Sequence, residues 1–421
     1  MNWPEVSEAF GYKAWSGLSA SEYLKELPEG VAKDAAIFVL ARLLFLVSES
    51  GIRISAGDLS DEWNAALSTE TVLHLGESAF SQIKNAQSWF AEKIQDPKNL
   101  VASWPEISAL TKNGETPDEF PILITASGHL YLHRSFLAEH RLISAINRLM
   151  PPGTEVLRHD DIALAMAEDL KHSPEPLLLN PEQIKAVALA GAAPLTLLTG
   201  GPGTGKTTTV VNILRALRRS EPKLRIALAA PTGRAAVRLG ESVAKELRVH
   251  PWKKEIDEGL SLSGQTLHSL LGVNDFSSPK YHRLFPLPVD FLVVDEATMA
   301  DLKLLAHTFE ALSEKARILL VGDPAQLPSV ETGSVFADLL PTVGAHRFRE
   351  VCAELTQSHR HTSCPNLQVF ALAIQSRSTE DILKKILNAE KTKSSVEAAE
   401  ALGKKDVVWF DSDESKLDDI L

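Results

Sequence analysis

Cysteine is almost missing: Cys352 and Cys364 are the only two in 421 residues. Two thiols give no framework of cross-links, which excludes a disulfide-stapled scaffold and fits a reducing compartment, read here as the cytoplasm. Long apolar runs are missing as well. The most apolar stretch, Ala35 to Val47, is interrupted by Arg42 and falls short of the roughly 20 residues a bilayer-crossing helix needs, so no membrane span is expected. The opening residues, Met1 to Phe10, lack both the basic cluster and the apolar segment of a secretory leader. Basic residues are outnumbered, with 43 Lys and Arg against 55 Asp and Glu and a net charge of −12. Taken alone, that balance argues weakly against nucleic acid, but a local groove can oppose the net charge. Part of the acidity lies between Asp406 and Leu421, where Asp406, Asp411, Asp413, Glu414, Asp418 and Asp419 face one Lys416; this reads as a solvated terminus. No internal repeat or low-complexity tract is present.

What remains is globular material. Hydrophobic residues make up 44% and charged residues 23%, enough for packed cores in two to four domains at roughly 100–200 residues each. From Ser21 to Asn113 apolar residues recur three and four apart, as at Phe38, Leu40, Leu43, Leu44 and Val47, which predicts helices. Five of the seven tryptophans (Trp3, Trp15, Trp63, Trp89 and Trp104) fall in or just before this stretch. They read as core residues of a small helical domain, with partner anchoring the alternative. Two short runs around Ser127-Gly128 predict a β-hairpin, followed by helices near Phe136–Leu149 and Asp160–Lys171 and a Ser173-Pro-Glu-Pro linker. After Asn180 the apolar runs Leu195–Thr199, Arg225–Ala229, Phe291–Val294 and Ile318–Val321 each precede a helical stretch. That is the pattern of an α/β domain, a parallel sheet with helices on both faces.

Chemistry concentrates in this part. Gly200 to Thr207 fits G-x-x-x-x-G-K-[ST], with a strand before it and a helix after it. Such a loop turns backbone N–H groups around phosphates at a helix N-terminus. The candidate nucleotide contacts are therefore Gly201, Pro202, Gly203, Thr204, Gly205, Lys206, Thr207 and Thr208. Lys206 is suited to the β- and γ-phosphates and Thr207 to Mg²⁺, with ATP as the nucleotide. Phe291-Leu-Val-Val ends in Asp295 and Glu296: Asp295 is the second candidate for Mg²⁺, and Glu296 the candidate to deprotonate or orient water. Asn180-Pro-Glu-Gln183 has two readings. It is a capping box closed by Gln183, or Gln183 offers its amide to the adenine edge.

Three further segments occur in fixed order: Ala230-Pro-Thr-Gly-Arg-Ala-Ala, Gln265-Thr-Leu-His-Ser-Leu-Leu, and Gly322-Asp-Pro-Ala-Gln-Leu-Pro-Ser-Val, with Asp295-Glu-Ala between the last two. Together they resemble the superfamily 1 DNA helicases of the RecD type, over roughly residues 120 to 375. The run from Leu130 to Glu139 resembles the segment before the motor in the exonuclease V branch. The resemblance implies a P-loop, RecA-like α/β sheet, preceded by an α-helical N-terminal domain and a small hairpin and helical segment. The expected domains are 1–115 (helical, docking), 116–177 (hairpin, helices and linker), 178–344 (first RecA-like lobe) and 345–421 (start of a second lobe). It implies that Pro231, Thr232, Gly233 and Arg234 grip single-stranded DNA, joined by Thr266 and His268, and that Gln326 couples γ-phosphate to DNA, with Asp323 orienting its loop. Leu355 to His361 resembles the start of the second lobe, making Arg360 the arginine finger. His359, His361 and Cys364 lack the spacing of a zinc fold.

The implied activity is ATP-dependent 5′→3′ unwinding at DNA ends, within a helicase–nuclease whose RecB- and RecC-like subunits hold the N-terminal domain. A stand-alone helicase of the same type and a non-catalytic ATP-binding interaction module are the alternatives. No S-x-G-x-E-F or T-R-A element follows Arg360. The expectation is a chain that stops before the second lobe is complete and does not unwind DNA by itself.

Overall fold

The computed structural model describes residues 6 and 9–357 other than 13, 26, 49–52, 68–74, 105–107, 112–121, 274–278, 325, 327–334 and 341–347, and then 390–392 and 408–410. The N-terminal part carries helices α1 (Ala14–Tyr23), α2 (Val31–Ser48), α3 (Ala56–Leu67), α4 (Glu77–Lys93) and α5 (Pro97–Ser103). Its strands are β1 (Arg53–Ser55), β2 (Ser108–Thr111), β3 (Ile122–Thr125) and β4 (His129–Leu132). The expected hairpin is present as antiparallel β3 and β4. It does not stand apart from the helical segment, because β1 pairs with β4 and β2 with β3 in one sheet of order β1-β4-β3-β2. An isolated pair of four-residue strands is marginal in water, so strands from within 1–115 complete it. The core beneath is aromatic: the rings of Phe38 and Trp63 stack 3.6 Å apart, with Phe90 beside Trp63. Trp63 and Trp104 are buried, and the Trp104 indole donates to the Ala32 carbonyl at 2.9 Å, so both are core residues.

The second part contains α6 (His133–Leu149), α7 (Asp160–Lys171), α8 (Pro181–Ala192), β5 (Leu195–Gly200), α9 (Lys206–Ser220), β6 (Ile226–Ala230) and α10 (Gly233–Val249). They are followed by β7 (Gly264–Thr266), α11 (Leu267–Leu271), β8 (Phe291–Val294), α12 (Leu302–Ala311), β9 (Arg317–Gly322) and β10 (Cys352–Leu355). Six parallel strands lie in the order β10-β5-β9-β8-β6-β7. Successive side chains feed opposite cores, as strand geometry requires. Leu292 and Val294 join the layer built by α6, α11 and α12, whereas Phe291 and Val293 join the layer built by α7 to α10. This three-layer, all-parallel arrangement is the P-loop, RecA-like α/β fold.

Three features differ from the sequence reading or extend it. The edge strand β7 has no apolar run to announce it; its three residues are only half-buried. β10 lies in the stretch expected to open a second lobe, yet it pairs with β5, because its alternating Ala353 and Leu355 fill the first lobe's core. α6 belongs to the helical layer of the six-stranded sheet through Leu142, Ile146 and Leu149. The Arg148 guanidinium then closes the C-terminus of α12, donating to the carbonyls of Phe309, Glu310 and Leu312 at 3.0, 3.2 and 2.9 Å. A helix end leaves its last carbonyls short of intrahelical partners; Phe309's also accepts the Leu312 N–H at 3.3 Å. Among the described residues no helix is long and apolar enough to cross a membrane.

Candidate nucleotide and nucleic-acid site

Parallel strands all end on one side, so the loops that follow them share an edge. Here β5 runs into 201–205, β6 into Pro231–Arg234, β7 into Thr266–His268, β8 into Asp295–Glu296 and β9 into Asp323–Gln326. Every described candidate drawn from these motifs therefore lies at the carboxyl edge of one sheet.

The phosphate loop turns where Gly205 takes φ 85°, a left-handed conformation that a Cβ would resist, and α9 starts at the next residue. Thr204 is buried and donates its hydroxyl to the Gly201 carbonyl at 2.9 Å, bracing the loop from inside. The Lys206 ammonium donates to the carbonyls of Gly200 and Gly201 at 2.5 and 3.0 Å, so it is held over the loop's mouth. Across the edge, the Asp295 N–H donates to the Ala229 carbonyl at 2.9 Å, fixing the start of the acidic pair. Burial pushes the Asp295 carboxyl above its usual range; the Glu296 backbone N–H and the positive charges of Lys206 and Arg238 pull the other way, and Glu296's own charge adds to the rise. Glu296 has φ 51°, the one positive φ outside glycine among the described residues. Such a conformation costs about 1–3 kcal/mol and gathers at functional sites.

A cavity of about 760 Å³ joins these parts. Its walls include Gln183, Gly201, Pro202, Gly203, Gly205, Lys206, Thr207 and Thr208, with Thr232, Arg234, Asp295, Glu296 and Gln326. Gln183 closes the capping box with Asn180 through bonds of 3.0 and 2.9 Å, and it also lines this cavity. Gln326 donates its amide to Asp323 at 3.4 Å and its backbone N–H to the Asp323 carbonyl at 3.0 Å. Thr232 and Thr266 accept N–H bonds at 3.3 and 3.0 Å as N-caps of α10 and α11. Thr266 and His268 lie one strand further out, on the edge strand and its helix, away from the phosphate loop. Arg360, His359, His361 and Cys364 lie outside the described residues.

The residues fit a magnesium nucleotide. A hydroxyl at Thr207 and a carboxylate at Asp295 are hard oxygen donors in one cavity, and Mg²⁺ takes few protein ligands because phosphates supply the rest. The cavity also has walls that the motifs did not reveal: Leu177, Leu178, Arg238, Ser242 and Met299. The arginine was legible, since Arg238 follows Arg234 by one helical turn and must share its face. The apolar residues were not, because nothing local separates them from core positions.

At the far side of α8 the site is tied to β10. Glu182 accepts the backbone N–H of Thr356 at 2.8 Å and its hydroxyl at 2.5 Å.

The fold and the site together define a P-loop domain of the RecA-like kind. Residues 178–401 match the family model described as an AAA domain. The chain belongs to that family, and its sequence is similar to helicases of the RecD type. It is 41% identical over 219 residues to the RecBCD enzyme subunit RecD of Haemophilus influenzae, covering 50% of this chain and 34% of that protein. The RecD subunit of Mycolicibacterium smegmatis is 39% identical over 252 residues, covering 57% and 42%. The ATP-dependent RecD2 DNA helicase of Deinococcus radiodurans is 33% identical over 226 residues, covering 52% and 27%. The chain thus spans well under half the length of these curated relatives. Among solved structures, a Bacteroides Pif1 helicase in complex with ADP-AlF3 and ssDNA is 22% identical with a TM-score of 0.33, covering 57% of this chain and 62% of that one.

Proposed function

We propose that this chain carries the first motor lobe of a RecD-type DNA helicase that hydrolyses ATP with Mg²⁺ and tracks 5′→3′ along single-stranded DNA. In this reading it works in the cytoplasm as a subunit of a RecBCD-type helicase–nuclease in double-strand-break repair, with its N-terminal helices docked on RecB- and RecC-like partners. The observation that carries the reading is the shared cavity: the phosphate loop, the Asp295–Glu296 pair and the Thr232–Arg234 segment line one space. A nucleotide site and a DNA-gripping motif on one rigid edge can bias each other.

The chain's own groups divide the work. Loop N–H groups and Lys206 hold the phosphates, Thr207 and Asp295 would hold Mg²⁺, and Glu296 takes a proton from the attacking water. Bound Mg²⁺ would neutralise charge developing on the phosphate oxygens. Gln326 sits between the phosphate end and the DNA-facing loops and reports on the one to the other. Arg360 is the proposed charge stabiliser from across the cleft.

The test is steady-state ATP hydrolysis with and without single-stranded oligonucleotide, comparing the chain with Lys206→Gln. DNA-stimulated turnover that falls at least about a hundredfold in the variant, with folding retained, is the expected result. Turnover that is equal in both proteins, with and without oligonucleotide, would sink the reading.

A further inference from the structure

The turn after Glu296 and the end of β9 share one support. A short helix, α13 (Val335–Asp338), carries Val335 and Phe336 into the core, where both are buried. The Phe336 ring lies against Gly322, the last residue of β9: a Cβ at that position would sit 2.7, 3.0 and 3.1 Å from three ring carbons. Asp323 follows directly, is buried, and is the residue to which Gln326 is bonded. The same helix packs against the single turn Ala297–Met299. That turn is tied to the acidic pair, because the Met299 N–H donates to the Glu296 carbonyl at 2.9 Å. One four-residue helix therefore touches the base of both loops, those of Glu296 and of Gln326.

A ring seated on bare backbone passes displacement on. Gly322 has no side chain to absorb a shift, and Phe336 shares its core with Ala297, Leu340 and, from α6, Ile146; packed interiors are stiff. The far end of α13 has a different setting. Asp338 is exposed, though its carboxyl is partly screened from water, which lifts it above the usual range; the Arg53 guanidinium opposes the rise and the Glu139 charge adds to it. Arg53 belongs to β1 of the N-terminal sheet and donates to the Tyr131 hydroxyl and to Glu139 at 2.6 and 3.3 Å. The helix beneath both loops thus meets the N-terminal part at its other end. Because the Arg53 side chain is 49% exposed, solvent weakens this tie. Such a tie biases the helix without locking it.

We propose that Phe336 is a positioning residue for ATP hydrolysis, its ring fixing Gly322 and with it the Gln326 loop, and that the Arg53–Glu139 cluster adjusts it through Asp338. This rests on the proposed function as a DNA-stimulated ATPase and deepens it. The demand is one of placement: roughly 1 Å of displacement can cost about a hundredfold in rate, and Gln326 is the residue proposed to connect phosphate to DNA. A side chain that only filled the core would change stability and leave that connection as it was.

The experiment measures ATP hydrolysis by the full chain with and without a single-stranded oligonucleotide and reads the ratio of the two rates, which does not depend on the fraction of protein folded. Gly322→Ala and Phe336→Leu are each expected to lower that ratio at least about fivefold. The double variant is expected to return it to within about twofold of wild type, because the smaller side chain makes room for the added methyl. Phe336→Leu reads the contact by itself if Gly322→Ala does not fold. Arg53→Met is expected to lower the ratio about twofold, the scale of a solvent-screened ion pair, and Arg53→Lys to keep it. Variants that lose thermal stability yet hold the wild-type ratio would make Phe336 a core filler and overturn the inference while the ATPase reading stands. A double variant no better than either single one would do the same. Arg53→Met at the wild-type ratio would overturn the part given to the N-terminal cluster. A wild-type chain whose turnover the oligonucleotide does not raise would overturn the proposed function and this inference with it.

Discussion

Asp295 shows what a single residue gives up for chemistry. Burial raises its folded-state pKa, so the folded protein prefers it protonated more than the unfolded chain does. The sign follows by linkage: stability from this group is present below the unfolded aspartate range, about pH 4, and is lost as pH rises through the higher folded value. At neutral pH the ionised carboxylate therefore weighs against the fold. Asp295→Asn is expected to raise the thermal midpoint at pH 7 in the absence of nucleotide and metal, and to lose that advantage below about pH 4. It should also abolish the extra stabilisation that Mg²⁺ gives to a nucleotide complex. Scanning fluorimetry across pH, with and without Mg²⁺, checks all three; a variant less stable than wild type at pH 7 would contradict the account. Glu296 makes the same kind of concession through its backbone, at φ 51°.

Elements set how closely the site's parts approach. The edge strand β7 meets α10 at Gly264, where an added Cβ would lie 2.0 Å from the Ala236 carbonyl oxygen. Backbone on both sides leaves no flexible group to give way. Gly264→Ala is expected to cost about 3 kcal/mol, read by urea unfolding, and to weaken oligonucleotide binding because Thr266 ends the displaced strand. This contact also marks the limit of what the sequence could reveal. Strands such as Phe291–Val294 were legible because both faces are buried and the run is continuously apolar. The phosphate loop was legible because its chemistry needs particular residues in consecutive positions. β7 and β10 were not, since an edge strand of three or four residues has one partner and little apolar content. The cavity's Leu177, Leu178 and Met299 were hidden for a related reason: their role depends on which distant loops face them.

At the scale of the whole molecule the N-terminal part is joined to the six-stranded domain by side chains as well as by sequence. The Arg53 guanidinium of β1 donates to the Tyr131 hydroxyl at 2.6 Å and to Glu139 of α6 at 3.3 Å, and burial pushes the Tyr131 hydroxyl up to about 12. Arg148 completes the link at the far end of α6. Arg148→Met keeps the stem's volume but removes the donor shared by three carbonyls, of which Phe309's keeps the Leu312 N–H, so a loss of about 2–3 kcal/mol is expected. Unfolding followed separately by tryptophan emission, concentrated in the N-terminal part, and by nucleotide release should change from one transition to two. A single transition at the wild-type midpoint would show that the two parts do not depend on this clamp. The tie between Glu182 and Thr356 has a mechanical meaning. A pull arriving along the chain at Gln357 runs parallel to β10 and must shear its whole ladder with β5 at once, which resists force far better than opening bonds one by one. Because Thr356 is clasped to the first turn of α8, the same tension reaches Glu182 and its neighbour Gln183 before it reaches the sheet, so strain on this end of the fold is felt first in the wall of the cavity.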